Sequence, residues 1–234
     1  MKSEYEWTTL TSSDLYDEKV DAIIASVSTK VVYPAKYSFS LPGQNMDCVY
    51  YIKEGRTKHY MDNGDGTAKI LYTLTPGWFF GETPFFLGIT TGLFSQTETD
   101  TVLYKIPNVS CRKLMGESEL FRDKMLKCYS LKMLMLRYEI ANLTFNSCKD
   151  RIKRLFCASV DTEHITDAGW YNLKICYNQT ELSEIVGGAR VTINRQINEL
   201  CTEGFLRTIN RHIQVNVAEY AKYSASRSKD NPRG

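Results

Sequence analysis

Between Asn178 and Val217 the chain reads NQTELSEIVGGARVTINRQINELCTEGFLRTINRHIQVNV, and no other run leaves it so little freedom of fold. Asn178, with Glu181 three residues on, is a capping box, so a helix starts there. Leu182, Ile185 and Val186 give that helix one apolar face, and Gly187-Gly188 then breaks it. A second helix is predicted from Ala189 to Glu203, where Gly204 ends it. Its inner face carries Ile193, Ile197, Leu200 and Cys201; its outer face carries Arg190, Val191, Asn194, Arg195 and Asn198. FLRTINRHIQVNV alternates with period two, which predicts a two-stranded wing around Asn210-Arg211 with a tip able to reach phosphates. Helix, glycine turn, helix and wing, in that order, make a winged helix-turn-helix.

The outer face of the second helix points to DNA. Arginine pairs bidentately with guanine and asparagine with adenine in the major groove, and these residues start at the helix N-terminus, which is the end that enters the groove. A merely solvated face would carry more Glu and Lys.

The front of the chain has a different period. From about Val31 to Ile106 it is strand-rich, and VYYIKEGRTKHYM and TAKILYTL flank Asp62-Asn63-Gly64-Asp65-Gly66, a strong hairpin turn. Further turns at Leu41-Pro42-Gly43, Thr75-Pro76-Gly77 and Gly88 divide the segment into short strands, as in an all-β barrel or sandwich. A long helix is then predicted from about Glu117 to Asn146. Leu126, Met133 and Ile140 alternate with Tyr129, Leu136 and Leu143 at heptad spacing, a seam that wants a partner helix from a second copy. Leu131, Leu134 and Met135 form a second apolar face for the barrel to cover. After Phe145-Asn146-Ser147 the periodicity resets at a hinge, and Asp150 to Phe156 opens another amphipathic helix.

Composition excludes several classes. The formal charge is only +2, and the excess lies at the back: 12 Lys and Arg stand against 10 Asp and Glu from Asp150 onward, with 17 of each before it. No apolar run is long enough to span a membrane and the first twenty residues are polar, so a cytoplasmic protein without a membrane partner is expected. Seven dispersed cysteines, Cys48, Cys111, Cys128, Cys148, Cys157, Cys176 and Cys201, contain no CxxC pair and argue against a zinc ribbon, leaving reduced thiols or a redox switch. GxxxxGK[ST], HExxH and GxSxG are all missing, so the chain is not read as an enzyme.

GARVTINRQINELCTEGFL resembles the recognition helix of Crp/Fnr transcription regulators, and the stretch from Glu54 to Glu82 resembles their cyclic-nucleotide-binding-type barrel. The resemblance runs from about Val31 to Val217. It implies an α+β protein: an N-terminal effector-sensing β-barrel (1–116), a long dimerisation helix (117–146) and a C-terminal winged helix-turn-helix DNA-binding domain (147–234). It also implies a homodimer on an inverted repeat of double-stranded DNA, acting as an activator with RNA polymerase. Arg190, Val191, Asn194 and Arg195 fall where the family contacts bases, and Thr180 and Thr192 fall near the backbone. Many members carry Glu where this chain has Val191; a valine can only touch a thymine methyl, so an A·T pair is expected there.

Gly81-Glu82 matches the start of the family's phosphate cassette, but Gly92 and Leu93 replace the Arg and Ser that hold a cyclic phosphate, and Leu136 and Arg137 stand where an adenine would be met. A cyclic nucleotide is therefore not expected. An iron-sulfur sensor would need an N-terminal cysteine cluster, and the only barrel histidine, His59, reads as a strand surface residue rather than a haem ligand, so no cofactor or metal is expected. Tyr129 and Lys132, together with Val191, resemble the halorespiration branch, which holds chlorinated phenols; an ammonium and a phenol would stabilise a phenolate. That branch carries lysine where this chain has Glu82. A small organic effector, a halogenated phenol among the candidates, is thus expected around Tyr129, Lys132, Gly81 and Glu82. Two alternatives stay open: a constitutive DNA-binding protein whose pocket is filled by its own side chains, and a regulatory subunit of an enzyme.

Overall fold

The computed structural model describes residues 15–64, 68–166, 169–210 and 212–229, the last three of these as backbone. The chain divides into two compact units, Met1–Ile140 and Ala141–Gly234, with the division inside the long helix.

The front unit opens with a helix that the sequence reading left out, α1 (Glu18–Val27), capped by the Asp17 carboxylate, which accepts from the amides of Lys19 and Val20. Eight strands follow: β1 (Thr29–Tyr33), β2 (Ser38–Ser40), β3 (Cys48–Glu54), β4 (Thr57–Asp62), β5 (Ala68–Leu74), β6 (Phe79–Phe80), β7 (Phe94–Thr97) and β8 (Thr101–Pro107). A short helix α2 (Glu82–Leu87) interrupts them. They form two antiparallel four-stranded sheets, in the orders β1-β8-β3-β6 and β2-β7-β4-β5. The β4–β5 hairpin pairs Asp62 with Ala68, and Gly64 takes the positive φ its turn requires; the rest of that turn, 65–67, lies outside the described residues. Residues 48–52 of β3 are buried without alternation, because this strand is covered on both faces. Val49, Tyr51, Ile52, Trp78, Phe79, Leu103 and Ile106 build the core with Phe121 and Met125.

Two helices close the unit. The expected long helix is α4 (Glu119–Phe145); Glu117 belongs instead to a separate helix, α3 (Asn108–Glu117). Phe121, Met125, Cys128 and Lys132 form the buried stripe of α4. Leu131 and Met135 pack against the barrel core as expected, but Leu134 is not part of that contact, because the stripe is centred one position away from it. On the other side the heptad seam is open: Leu126, Tyr129, Met133, Ile140 and Leu143 are exposed, Ile140 to 65%, and Leu136 is half-buried.

The back unit continues with α5 (Cys148–Ser159), whose N-cap Ser147 accepts from the Asp150 amide. β9 (Val160–Ile165) and β10 (Trp170–Leu173) follow, then α6 (Gln179–Val186), α7 (Arg190–Thr202), β11 (Leu206–Ile209), β12 (His212–Asn216) and a C-terminal helix α8 (Val217–Lys229) that the sequence reading did not foresee. The strands form one antiparallel sheet ordered β11-β12-β10-β9. Ile152, Phe156, Val160, Leu182, Val186, Ile193, Leu200, Phe205, Leu206 and Val215 are among the buried apolar residues of this unit. No helix among the described residues is long and apolar enough to cross a membrane. The seven cysteines are free, and Cys48, Cys111, Cys128 and Cys157 are buried.

Candidate nucleic-acid interface and barrel site

The capping box at the start of α6 is complete: Asn178 accepts from the Glu181 amide, and the Glu181 carboxylate accepts from that of Asn178. The helix ends at Gly187, whose φ of 70° is left-handed and suits a residue without a Cβ. At Gly188 a Cβ would come within 3.2 Å of Ile193 and 3.3 Å of the Cys148 sulfur, so the turn is also tightly packed.

Two buried residues, Ile193 and Leu200, fix α7 by its inner face and turn the opposite edge outward. Arg190 and Val191 are exposed, Val191 to 81%, and Arg190 has no hydrogen bond or ion pair among the described residues. Arg195 is exposed too, and its one ion-pair or hydrogen-bond partner among the described residues is Glu199 at 3.9 Å, an open surface pair of little energetic weight. Asn194 and Thr192 are half-buried beside them, and Thr180 is half-buried in the first turn of α6. The structure therefore places five of the six sequence-predicted DNA residues on α7 and Thr180 on α6. A side chain as apolar as valine gains nothing from water at such exposure. The wing is the β11–β12 hairpin, with Ile209 paired to His212 and Asn210 at positive φ; Arg211 lies outside the described residues.

The residues that hold this arrangement were invisible in the sequence. Arg151 on α5 donates to the carbonyls of Val186, Gly187 and Asn146, at 2.9, 3.2 and 3.0 Å. Lys149 pairs with Glu203 and, at 3.8 Å, with Glu199, tying α5 to the far end of α7. No local pattern marks either residue, because apart from Asn146 their partners lie 35 or more positions away.

In the front unit two of the four residues expected to hold an effector, Lys132 and Glu82, are already engaged with each other. The Lys132 ammonium donates to the Glu82 carboxylate and to the Phe79 carbonyl, both at 2.6 Å, and lies 5.3 Å from the centre of the Tyr72 ring. Only 5% and 6% of the two side chains reach solvent. Burial alone would lower the Lys132 pKa; Glu82 at contact, with Tyr72 nearby, more than offsets this and holds the ammonium charged. Gly81 caps α2 with a φ of 85°, where a Cβ would meet Met46 at 2.9 Å, so the backbone turns tightly to present Glu82 inward. Lys132, Glu82 and Gly81 are thus brought together. Tyr129 is not part of that cluster: it is 40% exposed on the seam, although its phenol is near enough to help raise the pKa of Tyr72.

His59 requires a correction. It is not a strand surface residue but fully enclosed, its two ring nitrogens each 3.0 Å from a hydroxyl, Thr57 on one side and Ser95 on the other. Phe80 and Tyr72 flank the ring at 4.9 and 5.3 Å between centroids. Burial, reinforced by the nearby Lys132 charge, pushes its pKa well below 6.5, so it is a neutral core imidazole. The Thr57–His59 face of β4 is the inner one.

Element content and order define the class: a cyclic-nucleotide-binding-type barrel, a long helix with an open apolar seam and a winged helix-turn-helix. Residues 30–118 match the cyclic nucleotide-binding domain family. Among relatives, the CRP-like cAMP-activated global transcriptional regulator of Mycobacterium tuberculosis is 18% identical over 81% of this chain and 84% of its own length. Among solved structures, the c-di-GMP responsive global regulator CLP of Xanthomonas campestris superposes with a TM-score of 0.73 at 20% identity, covering 86% of this chain and 99% of CLP. CprK complexed with OCPA superposes at 0.67 with 21% identity, over 88% of this chain and 94% of CprK. The chain shares the fold of these regulators, and the ligands named for these three proteins differ, so the fold leaves the effector open.

Proposed function

We propose that the protein is an effector-responsive, sequence-specific DNA-binding regulator of transcription. In this reading it works in the cytoplasm as a homodimer on an inverted repeat, and activates transcription with RNA polymerase. The barrel to residue 116 senses, the helix of 117–146 joins two copies and 147–234 reads DNA. The observation that carries the reading is the outward edge of α7, where Arg190, Val191 and Arg195 stand exposed with almost no partners, directly after a tightly packed glycine turn. The open seam from Leu126 to Leu143 supports the dimer, since exposed apolar residues at heptad spacing are stabilised by a second helix. Arg190, Asn194 and Arg195 would read bases, Val191 a thymine methyl, and Thr180 and Thr192 would meet the backbone.

A small organic molecule fits the barrel better than a cyclic nucleotide, since the segment from Gly88 to Leu93 offers a phosphate no cation. A halogenated phenol remains the candidate that Tyr129 and Lys132 suggest, but it would have to compete with Glu82 for the ammonium. That same ion pair favours a second reading, a DNA-binding protein that needs no effector because Lys132 and Glu82 satisfy each other.

Selection of bound sequences from random DNA by the purified protein, with and without halogenated phenols, tests both. An inverted repeat with half-sites about one helical turn apart, and an A·T pair facing Val191, is the expected result. Enrichment that rises with a phenol supports the first reading, and equal enrichment without it supports the second. A G·C pair facing Val191 refutes its assigned contact, and no enrichment at all refutes DNA reading.

A further inference from the structure

We infer that Arg151 is the positioning residue that sets the angle of the recognition helix relative to the end of the long helix, and so fixes which half-site separation the dimer accepts. The inference rests on the reading of α7 as a DNA-reading helix.

The geometry is that of a three-point clamp. Asn146 directly follows the last residue of α4 and is held to it, its amide donating to the Asn142 carbonyl and its side chain to that of Asn142. Only Asn146 and Ser147 separate α4 from α5. From the first turn of α5, the Arg151 guanidinium spends one nitrogen on the Asn146 carbonyl, at 3.0 Å, and two on the carbonyls of Val186 and Gly187, at 2.9 and 3.2 Å. The latter two belong to the end of α6 and the turn that launches α7. A helix end leaves its last carbonyls without intrahelical donors and carries partial negative charge, so a rigid, permanently charged fork is well matched to it. Within the back unit, the contact joins the residue that follows α4 to the turn that begins α7.

Two neighbours restrict the turn further. Ser183 donates to the Gly188 carbonyl at 2.6 Å, and Gly188 lies so close to Cys148 of α5 that a Cβ would touch its sulfur. With the turn packed on α5 and Arg151 bridging it to Asn146, a change in the direction of the last turn of α4 has little slack to absorb it. A lysine at the same place keeps the charge and loses the fork, because one ammonium cannot hold the planar arrangement that spans both segments.

The test uses full-length wild-type protein, Arg151→Lys and Arg151→Gln, each selecting from libraries of inverted repeats whose half-site separation varies one base pair at a time. Thermal unfolding of each variant is recorded alongside. Wild type is expected to prefer one separation by about tenfold over its neighbours. Both variants are expected to keep the wild-type half-site sequence while spreading over several separations, with the preference falling to less than about threefold. Retention of the single wild-type separation by both variants overturns the proposal, whatever happens to affinity. A uniform loss across all separations, with or without a lowered melting point in the milder lysine variant, also overturns it, since the residue would then only hold the fold. If wild type selects no inverted repeat at all, the DNA reading itself fails and this inference falls with it, an outcome visible before any variant is compared.

Discussion

The two units handle charge in opposite ways. In the barrel, the ionisable groups nearest the candidate site are enclosed and matched: Lys132 with Glu82, His59 between two hydroxyls. On α7, Arg190 and Arg195 are exposed with at most one weak partner each among the described residues. A buried charge must be matched inside the fold because water cannot reach it, whereas an exposed guanidinium keeps its hydration until a phosphate or base replaces it. The contrast teaches that the edge of α7 proposed to read DNA can meet a ligand as folded, while an effector proposed to bind Lys132 would first have to separate a bonded pair.

The strongest way to break this contrast is on α7. Replacing Arg190, Asn194 and Arg195 together by alanine should reduce affinity for the selected duplex about a thousandfold or more, towards non-specific binding, since each base contact contributes about 1–3 kcal/mol. Fluorescence anisotropy measures it, and a loss below threefold would leave these residues without the role assigned to them.

Next comes the buried pair. Glu82→Leu alone leaves an enclosed ammonium without its counter-charge and should destabilise the fold by about 3–5 kcal/mol in urea unfolding. The double variant Glu82→Leu, Lys132→Met should recover most of that. If the single variant were as stable as the double, the pair would not be a matched buried one.

A smaller effect sharpens the reading of Val191. Val191→Glu supplies a carboxylate that accepts from cytosine N4, so the preferred pair facing it should change from A·T to one with cytosine, by about 1–3 kcal/mol. Sequence selection by the variant decides; an unchanged preference would mean that Val191 does not face a base.

The smallest effect comes from His59. Its folded pKa lies well below 6.5 while the unfolded chain titrates near 6.5. Above pH 6.5 the imidazole is neutral in both states and costs nothing. As pH falls below 6.5 the unfolded chain binds a proton that the folded one refuses, and stability drops by up to about 1.4 kcal/mol per pH unit. Denaturation at pH 7.5 and 5.5 should show that loss, and His59→Asn should reduce it; an equal pH response in the variant would assign the acid sensitivity elsewhere.

Much of the architecture was legible because it depends on local chemistry. Capping at Asn178 and Glu181, the break at Gly187-Gly188, the period of α7 and the turn at Asn63-Gly64 each need only a few neighbouring residues. α1 and α8 were missed: α1 has a clear Asp17 cap but precedes the strand-rich region that drew the reading, and α8 follows the last recognisable motif. His59 was misplaced because its enclosure depends on Ser95, Tyr72 and Phe80, which come from other strands.

The sequence by itself determined that two kinds of structure share the chain, where α7 starts and which of its side chains face out, since helix and strand periods and caps are set over a few residues. Only the tertiary structure decided that Lys132 is bonded to Glu82 rather than waiting for a ligand, that His59 is enclosed and neutral, and that Arg151 binds three carbonyls from two segments. Each of those facts needs at least one contact between groups 35 to 53 positions apart, and no local pattern encodes such a meeting.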